Sequence, residues 1–393
     1  GDAVKFATTV KLNRLIFPYI LLIGLTAYSL GILNSLRHFT IPAFAPCLLN
    51  ISIIVCALIW GEGVKGLARG VLIGGVLQLA IQIPILYKKG FRFKFTNKFK
   101  HPAISKIGKL MTPRLFSSAI YQLNNFVDSI FGSWASIVGE GAVAALYFSY
   151  RLIQFPLGIF GNSLAQVILP TLSLQAVNPD DHQKFKDTLV FGLRSILFIM
   201  IPASFGFMVL SKPIIAGLFG GGKFNAYSIE ITSGALFFYS IGLFAYGATR
   251  ILQCGFFALK DTLTPAIVSA MVLFMNIFLN TILMFPMKLG GLALATSISG
   301  IVNFLILFYI IDQKIGGMNK RKLAVFVAKV ILASLGMAFV CWWVLQVNPQ
   351  VSSQIISRLF NLTLPIFCGI ITYIVFSLAL GIEQARSLFR LNK

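Results

Sequence analysis

Long apolar runs, each bounded by a short polar or charged cluster, recur from one end of this chain to the other. A run of about 20 residues is what a helix needs to cross a hydrocarbon layer about 30 Å thick. On that pattern spans fall near 12–35, 43–60, 66–87, 110–136, 143–171, 187–210, 226–258, 264–285, 291–311, 323–346 and 359–381. In lipid, backbone amides and carbonyls must find partners within their own segment, so such runs are helices. The predicted fold class is all-α, a polytopic helical membrane protein with about 11 spans.

Part of the pattern occurs twice. Residues 23–28 read IGLTAY and 241–246 read IGLFAY. An ordered series follows each copy: Pro42-Ala43 and Pro265-Ala266, then Asn50-Ile51 and Asn276-Ile277, then Gly66 to Ala68 and Gly291 to Ala293. Gly75 and Gly300 come next, then Gln78 and Asn303. Both copies start on the same side of the membrane. Parallel repeats of this kind predict two pseudo-equivalent lobes with a substrate site between them. The expected organisation is a partial N-terminal lobe of three helices at 1–88 and a basic inter-lobe loop at 89–109. A C-terminal six-helix lobe at 110–311 follows, then two additional helices with a tail at 312–393. Three spans precede the second copy and none the first. Three further helices are therefore expected ahead of residue 1, which is Gly rather than Met.

Composition agrees with the spans: 57% of residues are hydrophobic and 11% charged, against about 25% charged in soluble domains. The mean hydropathy is +0.87. A net charge of +22 would suit a nucleic-acid binder, but the placement of the charges points elsewhere. With the N-terminus outside and the C-terminus inside, Lys and Arg concentrate in the inside loops, above all from Lys88 to Lys109. The outside loops hold only Lys5, Lys11, Lys65, Lys212, Lys223, Lys288 and Arg358. This is the positive-inside asymmetry of membrane proteins. It excludes nucleic acid as the expected partner and sets the 88–109 loop against anionic membrane lipids. The cysteines are scattered without a CxxC, and His38, His101 and His182 fall in inside loops. No metal site and no cofactor are predicted from them.

Two full charges sit at mid-depth of predicted spans, and an intramembrane charge is a functional hypothesis by default. Tyr121, Asn125 and Asp128 form one stripe on span 110–136. Arg151 lies about 12 Å along span 143–171, at the depth of Asp128 on the helix before it. Pro156 frees a carbonyl and predicts a kink beside Arg151. Two readings stay open: Arg151 and Asp128 neutralise each other, or Arg151 faces an aqueous crevice and binds an anionic headgroup through forked hydrogen bonds. Asn276 with Asn280, and Thr296 with Ser299 and Asn303, form a second polar cluster. With Asp128 they could hold Na⁺, Asp128 could carry a proton, or the cluster could be interhelical hydrogen-bond glue. Arg69, Arg114, Arg194 and Lys329 lie near membrane faces and are expected to snorkel to headgroups. Arg250 sits deeper and joins Arg151 as a candidate. A membrane-embedded transferase would need partnered acids or histidines near a face. Asp261 and Asp312 are isolated acids, so no enzyme is predicted.

The stretches QLNNFVDSIFGSWAS and GAVAALYFSYRLIQFPLGIFGNSLAQVILPTLSLQ closely resemble the MurJ (MviN) family. So do LNRLIFPYILLIGLTAYSLGILNS, GLARGVLIGGVLQLAIQIPIL, ALKDTLTP and GGLALATSIS. That family belongs to the multidrug/oligosaccharidyl-lipid/polysaccharide exporter superfamily. The resemblance implies a MATE-like pair of lobes, of which this chain would cover helices four to fourteen. It also implies a flippase for lipid II, the undecaprenyl-pyrophosphate-linked peptidoglycan precursor, in the bacterial inner membrane with a cytoplasmic C-terminus. The alternative is an exporter of another lipid-linked polysaccharide or of a drug. Under the resemblance Arg151 matches the family's cavity arginine, with Gln154, Asn125 and Arg250 as further substrate-binding candidates. Asp128 matches an acid in an NxxxD-like stretch, with Asn276, Asn280 and Thr296 as candidates for Na⁺ or H⁺ coupling. Gln154 stands where some members have an acid, and Asn280 replaces an acid in the same way.

Overall fold

The computed structural model describes residues 2–36, 38, 40–60, 63–92, 108, 111, 122–124, 126–177, 181–347 and 355–389. The chain divides into two compact units, Gly1–Ile104 and Ser105–Lys393. Among the described residues, nine helices are long and apolar enough to cross a membrane. The fold is all-α, and large apolar side chains such as Leu58, Phe274 and Phe278 stay exposed along those helices. Lipid is the environment in which such exposure carries no penalty.

The first unit contains α1 (Asp2–Ile16), α2 (Tyr19–Ser35), α3 (Thr40–Trp60) and α4 (Val64–Lys88). The apolar run expected from residue 12 begins earlier, at Phe6, and the helix breaks before Tyr19, where Pro18 stands. Gly66, Gly70 and Gly74 recur every fourth residue and line one face of α4. A Cβ on Gly70 would stand 2.7 Å from the Cα of Ile53, so only glycine permits this approach of α3 to α4. Ser52 Oγ then reaches the carbonyl of Gly70 at 2.7 Å. Small residues that let backbones meet are the means by which helices associate without a hydrophobic drive.

The second unit opens with α5 (126–132) and the short α6 (Ala135–Val138). Then come α7 (Ala142–Pro156), a π-helical segment (Leu157–Asn162) and α8 (Ser163–Gln175). The kink expected at Pro156 takes the form of this π segment, which widens the helix next to Arg151. α9 (His182–Phe219) and α10 (Ala226–Ala258) pack along their lengths. Leu189, Leu193, Ile196 and Met200 of α9 form a fully buried stripe at helical spacing. They meet α10 where Gly247 and Gly255 leave room, Gly247 against Ile196 and Met200 and Gly255 against Leu189. α12 (Lys320–Val347), α13 (Ile355–Ala379) and α14 (Glu383–Phe389) complete the unit. The Tyr373 hydroxyl of α13 donates to the Phe198 carbonyl of α9 at 2.6 Å.

α11 (Leu263–Lys314) is one helix by hydrogen bonding yet holds two of the expected spans, 264–285 and 291–311. Lys288 has φ 49° and ψ −129°, far from helical. Asn276 and Thr296, 20 residues apart, are hydrogen-bonded at 3.4 Å. A straight helix would hold them about 30 Å apart, so α11 doubles back at Lys288. Most of the first half of the span expected at 110–136 lies outside the described residues, as does most of the basic loop at 89–109.

Two of the intraspan cations expected near membrane faces also find protein partners. Arg194 pairs with Glu383 at 3.6 Å, and Lys329 Nζ donates to the Leu380 carbonyl at 2.9 Å. The chain after α13 folds back against α9 and α12 and supplies partners that a single span cannot reveal.

Candidate functional site

Asp128 is held by two halves of one helix. Its Oδ1 accepts from Asn280 Nδ2 at 2.8 Å and its Oδ2 from Thr296 Oγ1 at 3.2 Å. Asn280 Nδ2 also donates to Asn276 Oδ1 at 3.0 Å. Thr296 Oγ1 stands 3.1 Å from the carbonyl of Leu292. Asn276 and Asn280 lie one turn apart before the Lys288 reversal, and Thr296 lies after it, so the turn in α11 builds the cluster. All four side chains are buried, Asn276 and Asn280 completely. A buried carboxylate is tolerated only where hydrogen bonds surround it. The Oδ1 of Asn280 is nevertheless buried with no hydrogen-bond partner among the described residues.

The sequence left open whether Asp128 pairs with Arg151, and the structure separates them. Asp128 turns to α11. Arg151, on α7, is exposed, and among the described residues no hydrogen bond or ion pair ties it to a neighbour. Gln154 stands one turn further along α7, half-buried and engaged with neighbours. Arg250, half-buried on α10, packs over the π segment, its Cδ 3.5 Å from where a Cβ on Gly161 would be. Nearer the start of α10, α7 is fastened to it by Ser149 Oγ, which reaches the Thr232 carbonyl at 2.7 Å. Asn125 lies outside the described residues. Thus Asp128, Asn276, Asn280 and Thr296 come together, whereas Arg151 stands apart from them.

Ser299 and Asn303, read with the second cluster, do not join it. Each leaves a buried oxygen without a described partner. Gln78, the repeat equivalent of Asn303, leaves its Oε1 in the same condition. Sequence reading passed over Gln82, fully buried with neither amide atom bonded to a described residue. Its place one turn after Gln78 was the available signal. It also passed over the Leu292 carbonyl, which no side-chain pattern reveals.

The two isolated acids near the ends of α11 are fully occupied. Asp261 caps the helix, accepting from the Thr264 amide at 2.9 Å and its hydroxyl at 2.7 Å, and pairs with Lys314. Burial alone would raise its pKa, but the Lys314 ammonium and the Thr264 donors hold the carboxyl down to about 2. Asp312 pairs with Lys320 at 2.7 Å and accepts from the Met318 amide. Both acids act as structural clamps, leaving neither as a proton-transfer group.

Residues 2–361 match the family model described as "Lipid II flippase MurJ". A Vibrio cholerae protein named "Probable lipid II flippase MurJ" is 36% identical over 387 residues, covering 97% of this chain and 73% of that protein. A Haemophilus influenzae protein of the same name is 32% identical over 393 residues, covering 98% and 76%. Among solved structures, "Lipid II flippase MurJ, inward closed conformation" superposes with a TM-score of 0.77 at 29% identity, over 97% of this chain and 75% of that one. The crystal structure of a MATE point mutant superposes at 0.56 with 18% identity, over 80% and 71%, a likeness of fold alone.

Proposed function

The chain belongs to the MurJ lipid II flippase family, and on that premise we propose how its own residues carry the transfer. It is a transporter, not an enzyme, and its substrate is lipid II, used in peptidoglycan synthesis. The match to the family over residues 2–361 carries this reading. The undecaprenyl-pyrophosphate-saccharide headgroup moves from the cytoplasmic to the periplasmic leaflet of the inner membrane by alternating access. The C-terminus is cytoplasmic, and the basic 89–109 loop rests on anionic lipid headgroups.

The protein has about 11 spans, arranged as two pseudo-equivalent lobes: 1–88 and 110–311, with 312–393 as an addition. A shared backbone turn supports the equivalence. Gly63 enters α4 at φ 59° and ψ −124°, and Lys288, at the matching place in the repeat, has φ 49° and ψ −129°.

Arg151 binds the pyrophosphate. Its side chain is exposed and unclaimed by any described carboxylate, and a guanidinium offers paired donors that suit phosphate oxygens. Gln154, one turn on, with Asn125 and Arg250, adds hydrogen-bonding groups for the headgroup. The π segment after Pro156 supplies the local irregularity on which α7 can flex as the lobes rock.

Asp128, Asn276, Asn280 and Thr296 form the coupling centre, for Na⁺ or H⁺. The donors are hard oxygens, which suit a cation of that class, and the unsatisfied Asn280 Oδ1 is a ligand position in waiting. Neutralising Asp128 by either cation would remove the cost of its buried charge and favour the state in which the cluster is closed.

The test is lipid II translocation by the protein in proteoliposomes, with and without an imposed Na⁺ or pH gradient. Arg151→Ala should insert normally and transfer no headgroup. Transfer at the wild-type rate by that variant would remove Arg151 from the mechanism.

A further inference from the structure

Equivalent turns of the repeat hold one unusual backbone with different residues. Gly63 stands three residues ahead of Gly66, and Lys288 three ahead of Gly291. Both adopt the conformation of the first central residue in a type II′ turn, which glycine takes freely and a residue with a Cβ takes under strain. The first unit solves the turn with glycine, while the second keeps a lysine there at a conformational cost. A lysine in a glycine's conformation points to a use for its side chain.

That side chain is exposed and forms part of the wall of a cavity of about 460 Å³ within the second unit. The size suits a small ligand or a headgroup. Ile137, Ile231, Phe238 and Met287 make most of the lining apolar, and Tyr227 reaches the same hollow. Among the described residues no carboxylate neutralises Lys288. Glu230, on the helix that carries Tyr227 and Ile231, is taken by Lys212 at 2.9 Å. Glu140, next to the wall residue Gly139, makes no ion pair with Lys288.

We propose that this cavity binds the phosphate headgroup of an anionic phospholipid, with Lys288 as its counter-ion. A single ammonium at the edge of an apolar hollow fits an amphiphile. The phosphate would meet the lysine, and the glycerol and first methylenes would fill the space beside Phe238 and Met287. In the orientation proposed above the Lys288 turn lies at the outer membrane face, within reach of phospholipid headgroups. The proposal rests on the flippase reading for that orientation only. Lipid held there would brace α6, α10 and the α11 turn, and so the turn on which the Asp128 cluster depends.

The experiment measures retention of phosphatidylglycerol and of phosphatidylcholine by the purified protein in neutral detergent, using native mass spectrometry and thermal unfolding. Lys288→Gly is the informative variant because strain and binding move it in opposite directions. Freed of strain, it should unfold at a higher temperature without lipid. It should also lose about fivefold in phosphatidylglycerol affinity. Lys288→Arg should keep that affinity, and so should Lys223→Gln, which removes a charge ahead of α10 outside the cavity. Unchanged phosphatidylglycerol affinity in Lys288→Gly, or equal wild-type affinity for the two lipids, overturns the proposal. Lipid II transfer measured on the same samples keeps this result separate from the flippase reading, since lipid affinity is scored whether or not transfer occurs.

Discussion

Asn280 and Asp128, 152 residues apart in the chain, meet at 2.8 Å, and the same Asn280 amide also holds Asn276 at 3.0 Å. One NH₂ group therefore satisfies two buried acceptors. Replacing Asn280 with Leu removes both bonds and leaves a carboxylate short of a donor. The variant should lose about 1–3 kcal/mol of stability. Thermal unfolding in detergent measures it, and a midpoint equal to wild type would show that the pairing contributes nothing.

Arg151 differs in kind, because it is exposed and carries no described partner. Its replacement should cost no more than about 0.5 kcal/mol in stability. Function should separate Lys from Ala at this position. Arg151→Lys keeps the charge and loses the fork, so it should transfer lipid II more slowly than wild type and faster than Arg151→Ala. Initial rates in proteoliposomes decide the order, and equal rates for Lys and Arg would argue that charge alone matters.

The Tyr373 hydroxyl ties α13 to α9 through the Phe198 carbonyl at 2.6 Å. Tyr373→Phe keeps the ring against Phe198 and removes the hydroxyl that makes that bond. A loss of about 1 kcal/mol is expected, with lipid II transfer unchanged. Should transfer fall while the unfolding midpoint holds, the two additional helices would have a part in transport.

Asp261 sets an acid limit on the loop between α10 and α11. Its carboxyl is held down to about 2 by Lys314 and Thr264. A depressed pKa means that the anion stabilises the folded state fully above the ordinary carboxylate range, about 4. That contribution declines as pH falls from about 4 towards about 2. Asp261→Asn should flatten the acid side of the stability profile, followed as unfolding midpoint against pH. An identical acid slope in wild type and variant would count against the clamp.

Much of this architecture is legible in the sequence. Apolar run lengths mark the spans because a bilayer has one thickness and a helix one rise. The repeat places Lys288 opposite Gly63, since aligned glycines, Gly66 and Gly291, follow both turns at the same distance. The 3.6-residue period sets Asn276 and Asn280 on one face of their helix, because that relation lies within a single element. The partners of Asp128 were not legible. Equal depth on consecutive helices left Arg151 as plausible a neighbour as Asn280, since periodicity gives the face of a helix without saying which other helix that face meets. Arg194 and Lys329 show the same limit, as their partners Glu383 and Leu380 both come from the chain after α13.

Hydrophobic spacing by itself determined that the chain is a set of membrane helices with a repeated block, and it predicted two charges at mid-depth of their spans. Only the tertiary structure decided that the acid turns to the doubled-back α11 while the arginine stays exposed. The physical reason is that burial depth is a property of one helix in a slab, whereas pairing depends on rotation and packing between helices. The glycine contacts of α10 and the reversal at Lys288 set those.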